Sequence, residues 1–249
     1  MSITKIDEFK NDELPIQKPI KEIMNVKIPN LINGIPNRNG FIWLVTGSGG
    51  SGKTSMLLNF FKNKQLYRCK FDHIYYFCPE ASFLSVEKHP FSHHDKVYHE
   101  LTADNLNSVY DQVSDIKEKA DETEYSLVFI DDFADKMKDK DIVKVLSKFL
   151  VKTRHLQTAF IFTLQSYYLF PKQLRKIISN ITIFKPKNFQ EWESICKEMF
   201  DMNKDDALTL FHYIYNEQYQ HLDVDLVENV YYKNFNMLKL HTKSELSDV

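Results

Sequence analysis

The chain has 249 residues, 43% of them hydrophobic and 27% charged, with 32 basic against 34 acidic side chains. That length and balance suit one soluble α/β domain with a small appendage and exclude a multidomain machine. Cys69, Cys78 and Cys196 give neither a disulfide framework nor a zinc pattern, the opening MSITKIDEFKNDELP places charges where a secretion signal needs an apolar core, and no run approaches the roughly 18 apolar residues of a membrane helix.

Residues 1–38 are polar and punctuated by Pro15, Pro19, Pro29 and Pro36, and read as an N-terminal arm. A core domain is expected over 39–188, and C-terminal helices with a hairpin over 189–249. The core opens on FIWLV, a strand-like apolar run at 41–45, and on GSGGSGKTS at 47–55. The latter is the full phosphate-binding pattern: Gly47, Ser48, Gly49, Gly50, Ser51, Gly52, Lys53, Thr54 and then Ser55. Glycines allow successive backbone N–H groups to turn inward onto phosphate oxygens, Lys53 reaches the β and γ phosphates of ATP, and the Thr54 hydroxyl ligates Mg²⁺. The helix-like SMLLNFFKN that follows puts the triphosphate on a helix N-terminus, where the dipole favours anions.

FDHIYYFCP (71–79) alternates as a strand does. The segment 80–100 carries His89, His93, His94 and His99, and reads as a solvated loop in preference to a metal cluster. A helix is expected at 103–119, then a buried strand in EYSLVFIDDF (124–133). Leu127 to Ile130 followed by Asp131 form a Walker B strand, whose terminal carboxylate holds the Mg²⁺ water shell. Asp132, next in line, is placed to orient or deprotonate the attacking water. A rival acidic pair, Asp223 and Asp225, lacks the preceding apolar run.

The pattern predicts a helix over 141–154, with Ile142, Val145, Leu146, Phe149 and Leu150 on one face and Lys144, Lys148 and Lys152 on another. From Ile142 to Gln190 there are nine basic residues and no acid, which points to a polyanion or an acidic neighbouring surface. QTAFIFTLQS (157–166) is a buried strand ending at Gln165, an amide placed to sense the γ-phosphate or the attacking water. FPKQLRKIISN is a short helix, ITIFKP a last core strand, and helices follow near 189–201 and 203–216. QYQHLDVDL and NVYYKNFNML form a terminal hairpin, and HTKSELSDV is expected to fray.

GSGGSGKTS, LVFIDDF, TRHLQTAFIFTLQS, FPKQLRKIISN and VYYKNF together resemble the FtsK/HerA superfamily of additional-strand P-loop ATPases, and within it the genome-packaging ATPases of poxviruses, giant viruses and virophages. The resemblance spans about 40–240. It implies a mostly parallel sheet flanked by helices and a homo-oligomeric ring, a hexamer, that threads double-stranded DNA into a preformed capsid. Viral capsid or portal-vertex proteins would be its other partners, and the host-cell cytoplasm, a viral factory or the virion its location. It also implies that Arg154 reaches the neighbouring subunit's ATP, with Arg175 in reserve. Asp132 departs from the glutamate found in much of the superfamily. Two rival classes remain: a small-molecule P-loop kinase, whose arginine-rich lid is not visible in the sequence, and a non-hydrolysing nucleotide-binding structural subunit.

Overall fold

A computed structural model describes Ile28, Leu31, 34–119 and 124–240; most of the expected arm and the tail HTKSELSDV lie outside these residues. The strands are β1 (Ile42–Thr46), β2 (His73–Phe77), β3 (Val97–Tyr98), β4 (Ser126–Asp131), β5 (Thr158–Leu164), β6 (Asn180–Phe184), β7 (His221–Asp225), β8 (Val230–Lys233) and β9 (Asn236–Leu238). They form a single sheet in the order β3-β2-β4-β5-β1-β6-β7-β8-β9. Strands β1 to β6 pair in parallel, and β7, β8 and β9 continue the sheet antiparallel.

Unbroken apolar runs in the central strands follow from burial on both faces. In β4, Val128 and Ile130 join one core while Leu127 and Phe129 join the other. Residues of β1 divide the same way, Ile42 and Leu44 against Trp43 and Val45, as a period of two requires. Helix α1 (Lys53–Lys62) covers the second face with Leu57, Leu58, Phe60 and Phe61. The first face is covered by α3 (Ala103–Lys119), α4 (Lys140–Leu150), α5 (Phe189–Phe200) and α6 (Lys204–Ile214); a short α2 (Glu80–Leu84) follows β2. Each fully buried large apolar side chain contributes about 1.5–3 kcal/mol. The one polar atom that Trp43 brings inside is satisfied, since Nε1 donates to Thr182 Oγ1 at 2.9 Å.

Several expectations are corrected. The lysine-bearing helix ends at Leu150, because the chain must turn before entering β5. Thr158 N donates to Thr153 O at 2.9 Å, Asn39 Nδ2 donates to Arg154 O at 3.1 Å, and a Cβ on Gly40 would lie 2.6 Å from Arg154 N. The segment after Pro171 is a 3₁₀ turn at Lys172–Ile177 instead of an α-helix. The expected hairpin is a three-stranded meander, since Asn234 and Phe235 adopt left-handed backbone (φ 50° and 63°) and reverse the chain within NVYYKNFNML. Inside 80–100 the sequence reading missed α2 and the edge strand β3.

Candidate active site

Parallel strands present their C-terminal ends on one side of a sheet, and β1, β4 and β5 end there side by side. Strand β1 runs into the phosphate loop, whose Gly47 N donates to Leu164 O of β5 at 3.2 Å. The loop then enters α1 through Gly52, in left-handed backbone at φ 97°. A Cβ on Gly47 would lie 2.5 Å from Phe184 Cβ, which excludes any larger residue without a shift of β6. Gly49, by contrast, lacks positive φ and has open space around it, so glycine is not required there.

Lys53 is buried, and its Nζ donates to Gly47 O at 2.7 Å and Ser48 O at 3.0 Å. Burial lowers its pKa from the usual lysine range, with Asp131 and Asp132 pulling the other way. Ser51 N closes the loop onto Ser48 O at 3.2 Å, while Ser55 sits exposed in the first turn of α1.

Asp131 is 1% exposed and accepts three hydroxyl bonds: from Thr54 Oγ1 at 3.1 Å, from Tyr76 Oη at 3.1 Å and a short one from Thr163 Oγ1. Burial raises its pKa above the usual carboxylate range, and the three hydroxyls oppose that rise. Asp132 turns off the strand at φ 61°, and its N donates to Thr163 Oγ1 at 3.1 Å. Its Oδ2 accepts from Ser82 Oγ of α2 at 3.2 Å, and its Oδ1 from Gln165 Nε2 at 3.4 Å. The fold thus gathers Lys53, Thr54, Asp131, Asp132 and Gln165. Tyr76, Ser82 and Thr163 also belong to the site. The register Asp131↔Thr163 explains Thr163, but nothing in the sequence pointed to Ser82.

Other candidates lie apart. Arg154 is exposed at the opposite end of the strands, against Asn39 and Gly40 ahead of β1. Arg175 is buried over the Tyr167 ring and donates to Glu198 Oε2 at 2.9 Å, so it is committed within its own chain. Lys148 and Lys152 rest on Tyr110 of α3, their Nζ atoms 4.0 and 5.5 Å from the ring centre. Asp223 accepts from Thr182 Oγ1 and Phe235 N and pairs with His221 Nδ1. His89, expected in a solvated loop, is buried among Tyr76, Phe83 and Phe91, and burial takes its pKa down to about 4. Among the described residues no three His, Cys, Asp or Glu side chains cluster to hold a metal. Cys78 and Cys196 are buried, with thiol pKa values raised to about 12, and Cys69 is exposed. No helix among the described residues is long and apolar enough to cross a membrane.

Strand β5 lies between the phosphate-loop strand and the Asp131 strand, and that inserted strand, tipped by Gln165, defines an α/β P-loop ATPase of the additional-strand class. The chain belongs to the poxvirus A32 protein family, whose model matches residues 36–241. Its fold is similar to that of B204, the DNA-packaging ATPase from Sulfolobus Turreted Icosahedral Virus, at 16% identity and TM-score 0.58, covering 81% of this chain and 98% of that one. The genome packaging NTPase B204 from Sulfolobus turreted icosahedral virus 2, in complex with ATP-gammaS, matches at 17% identity and TM-score 0.56, over 80% and 100% of the two chains. EssC (ATPases 2 and 3) from Geobacillus thermodenitrificans matches at 13% identity and TM-score 0.52, over 84% of this chain and 42% of that one. No curated protein matches the chain in sequence.

Proposed function

We propose that this chain is the ATPase of a viral genome-packaging motor, using ATP hydrolysis to drive double-stranded DNA into a preformed capsid. The observation that carries this reading is the clamp on Asp132, where Gln165 at the tip of the inserted strand holds one carboxylate oxygen and Ser82 the other. Membership of the poxvirus A32 family and a fold similar to packaging ATPases support it.

In this reading the loop amides of Gly47 to Ser55 and the Lys53 ammonium bind the triphosphate. Thr54 Oγ1 and Asp131 Oδ1, hard oxygen donors 3.1 Å apart, fit a Mg²⁺ ion that keeps part of its water shell. Bound there, Mg²⁺ would neutralise charge on the β and γ oxygens. A carboxylate has about four lone-pair sites, so Asp132 retains acceptor capacity for a water after its two bonds. It then serves as the general base, with Gln165 fixing its direction and reporting the γ-phosphate to β5. Arg154 lies at the far end of the strands from its own loop, so its action on nucleotide is in trans, within a homo-oligomeric ring taken to be a hexamer. Capsid or portal-vertex proteins are the other partners, and the host cytoplasm, a viral factory or the virion the location.

ATP turnover with and without duplex DNA tests the reading: stimulation by DNA is expected. Phosphate transfer to a nucleoside would replace the motor with a kinase, and no turnover would leave a structural subunit. Mixing Arg154→Ala with Lys53→Ala protein, each nearly inactive alone, should restore part of the activity, because a trans arginine is worth about 10³ to 10⁵ in rate and some interfaces then pair an intact loop with an intact arginine. Mixed rings that assemble and stay dead would remove Arg154 from that role.

A further inference from the structure

The structure gathers lysines, one of them from the lysine stripe, in a groove that the sequence did not outline. Lys148 and Lys152 are drawn onto Tyr110, so of that stripe only the Lys144 ammonium has no partner among the described residues. Lys144 faces an open groove of about 510 Å³ between the first turns of α4 and the 3₁₀ turn at Lys172–Ile177. Three more lysines line it: Lys138 from the 3₁₀ turn after β4, Lys140 at the start of α4, and Lys172. All four are exposed, and none of their ammonium groups has an ion pair or hydrogen bond to a described residue.

No acid lines the groove. Of the acids nearest in sequence, Asp135 pairs with Lys136 at 3.8 Å, Asp139 Oδ1 caps α4 by accepting from Asp141 N and Ile142 N, and Asp141, in the first turn of α4, is not part of the groove lining. Four like charges from three separate elements line one groove, and two of them, Lys140 and Lys144, form an i, i+4 pair that repels. Such an arrangement is stabilised by an anion with several charges in a row.

We propose that this groove grips the phosphate backbone of double-stranded DNA; the proposal rests on the packaging reading above. Lysine is a flexible point charge that tracks phosphates without reading bases, as a motor indifferent to sequence requires. An acidic protein face is the poorer fit, because the groove lining offers no Trp, Tyr or Arg, the side chains that dominate protein interfaces. The walls are also tied to the hydrolysis site. Lys138 lies six residues past Asp132, and Lys172 seven past Gln165. A short stretch of chain thus leads from each side of the Asp132 to Gln165 clamp to the groove.

The test is duplex DNA binding across a salt series, with Lys138, Lys140, Lys144 and Lys172 all changed to Gln and, separately, to Arg. Each lost phosphate contact lowers the slope of log affinity against log salt by about 0.9, so the Gln variant should lose about 3 to 4 per engaged subunit, uniformly across DNA sequences. The Arg variant should keep the slope, and Lys148→Gln with Lys152→Gln should change it little. The unfolding midpoint checks that the exposed substitutions leave the fold intact. An unchanged slope in the Gln variant, with wild type binding DNA, overturns the groove alone. Lost ring assembly in native mass measurements would make it a subunit contact and overturn it too. If wild type neither binds DNA nor is stimulated by it, the packaging reading falls along with the groove.

Discussion

Two buried carboxylates in this molecule, Asp131 and Asp223, differ in what they touch more than in how deep they lie. Asp131 is 1% exposed and Asp223 4%. Asp131 is surrounded by hydroxyls from Thr54, Tyr76 and Thr163, groups that rotate and accept as readily as they donate. Asp223 is held by the backbone N of Phe235, by His221 and by Thr182 Oγ1, binding β6 to the turn ahead of β9. The first environment lets a cation replace a hydrogen bond without orphaning its donor. In the second, removing the carboxylate strands a backbone N–H that has no freedom to find another partner. On the proposed function, the replaceable partners go with the acid assigned to chemistry and the fixed ones with the acid that holds the architecture.

The sharpest way to test the contrast is at the acid beside Asp131. Asp132→Asn should keep ATP binding and lower turnover by roughly 10² to 10⁴, the range for a lost general base. If single-turnover measurements instead show that binding vanishes here while Asp131→Asn keeps it, the two roles are exchanged. Asp223→Ala should behave oppositely. Leaving His221, Thr182 and the Phe235 N–H unpartnered costs about 2–4 kcal/mol, which lowers Tm by roughly 5–10 °C, with turnover per folded molecule within about twofold of wild type. A normal Tm with lost turnover would place Asp223 in the chemistry.

The smallest effect is on the stability of the protein without nucleotide. Burial raises the Asp131 pKa, and an acid raised in this way contributes stability below its solvated pKa that is lost as pH climbs through the raised value. Asp131→Asn removes the charged form, so at neutral pH its Tm should exceed that of wild type, the difference shrinking toward zero as pH falls below the carboxylate range. A lower Tm for Asp131→Asn at neutral pH would mean that Lys53 and the hydroxyls already outweigh the desolvation.

Legibility in the sequence tracked the range of the interaction. The helix expected at 103–119 and the strand carrying Asp131 were readable because their signals are local, an amphipathic period in one and an apolar run in the other. The end of α4 was not, since the turn that follows it into β5 is packed against Asn39 and Gly40, more than a hundred residues away in sequence. For the same reason Arg154 reads as a helix-terminal residue in sequence and is a turn residue at the far end of the sheet in space.

By itself the sequence singled out the phosphate loop, Asp131, Asp132 and Gln165 as candidates, because the signals that mark them are residue types at fixed spacing along a strand or loop. Only the tertiary structure decided that Ser82 and Gln165 clamp Asp132, that Lys148 and Lys152 belong to Tyr110, and that Lys138, Lys140, Lys144 and Lys172 share one groove. Those relations join elements separated by dozens of residues, and they are set by how strands order themselves in the sheet and how helices pack across it. No local pattern of charge or hydrophobicity encodes that order.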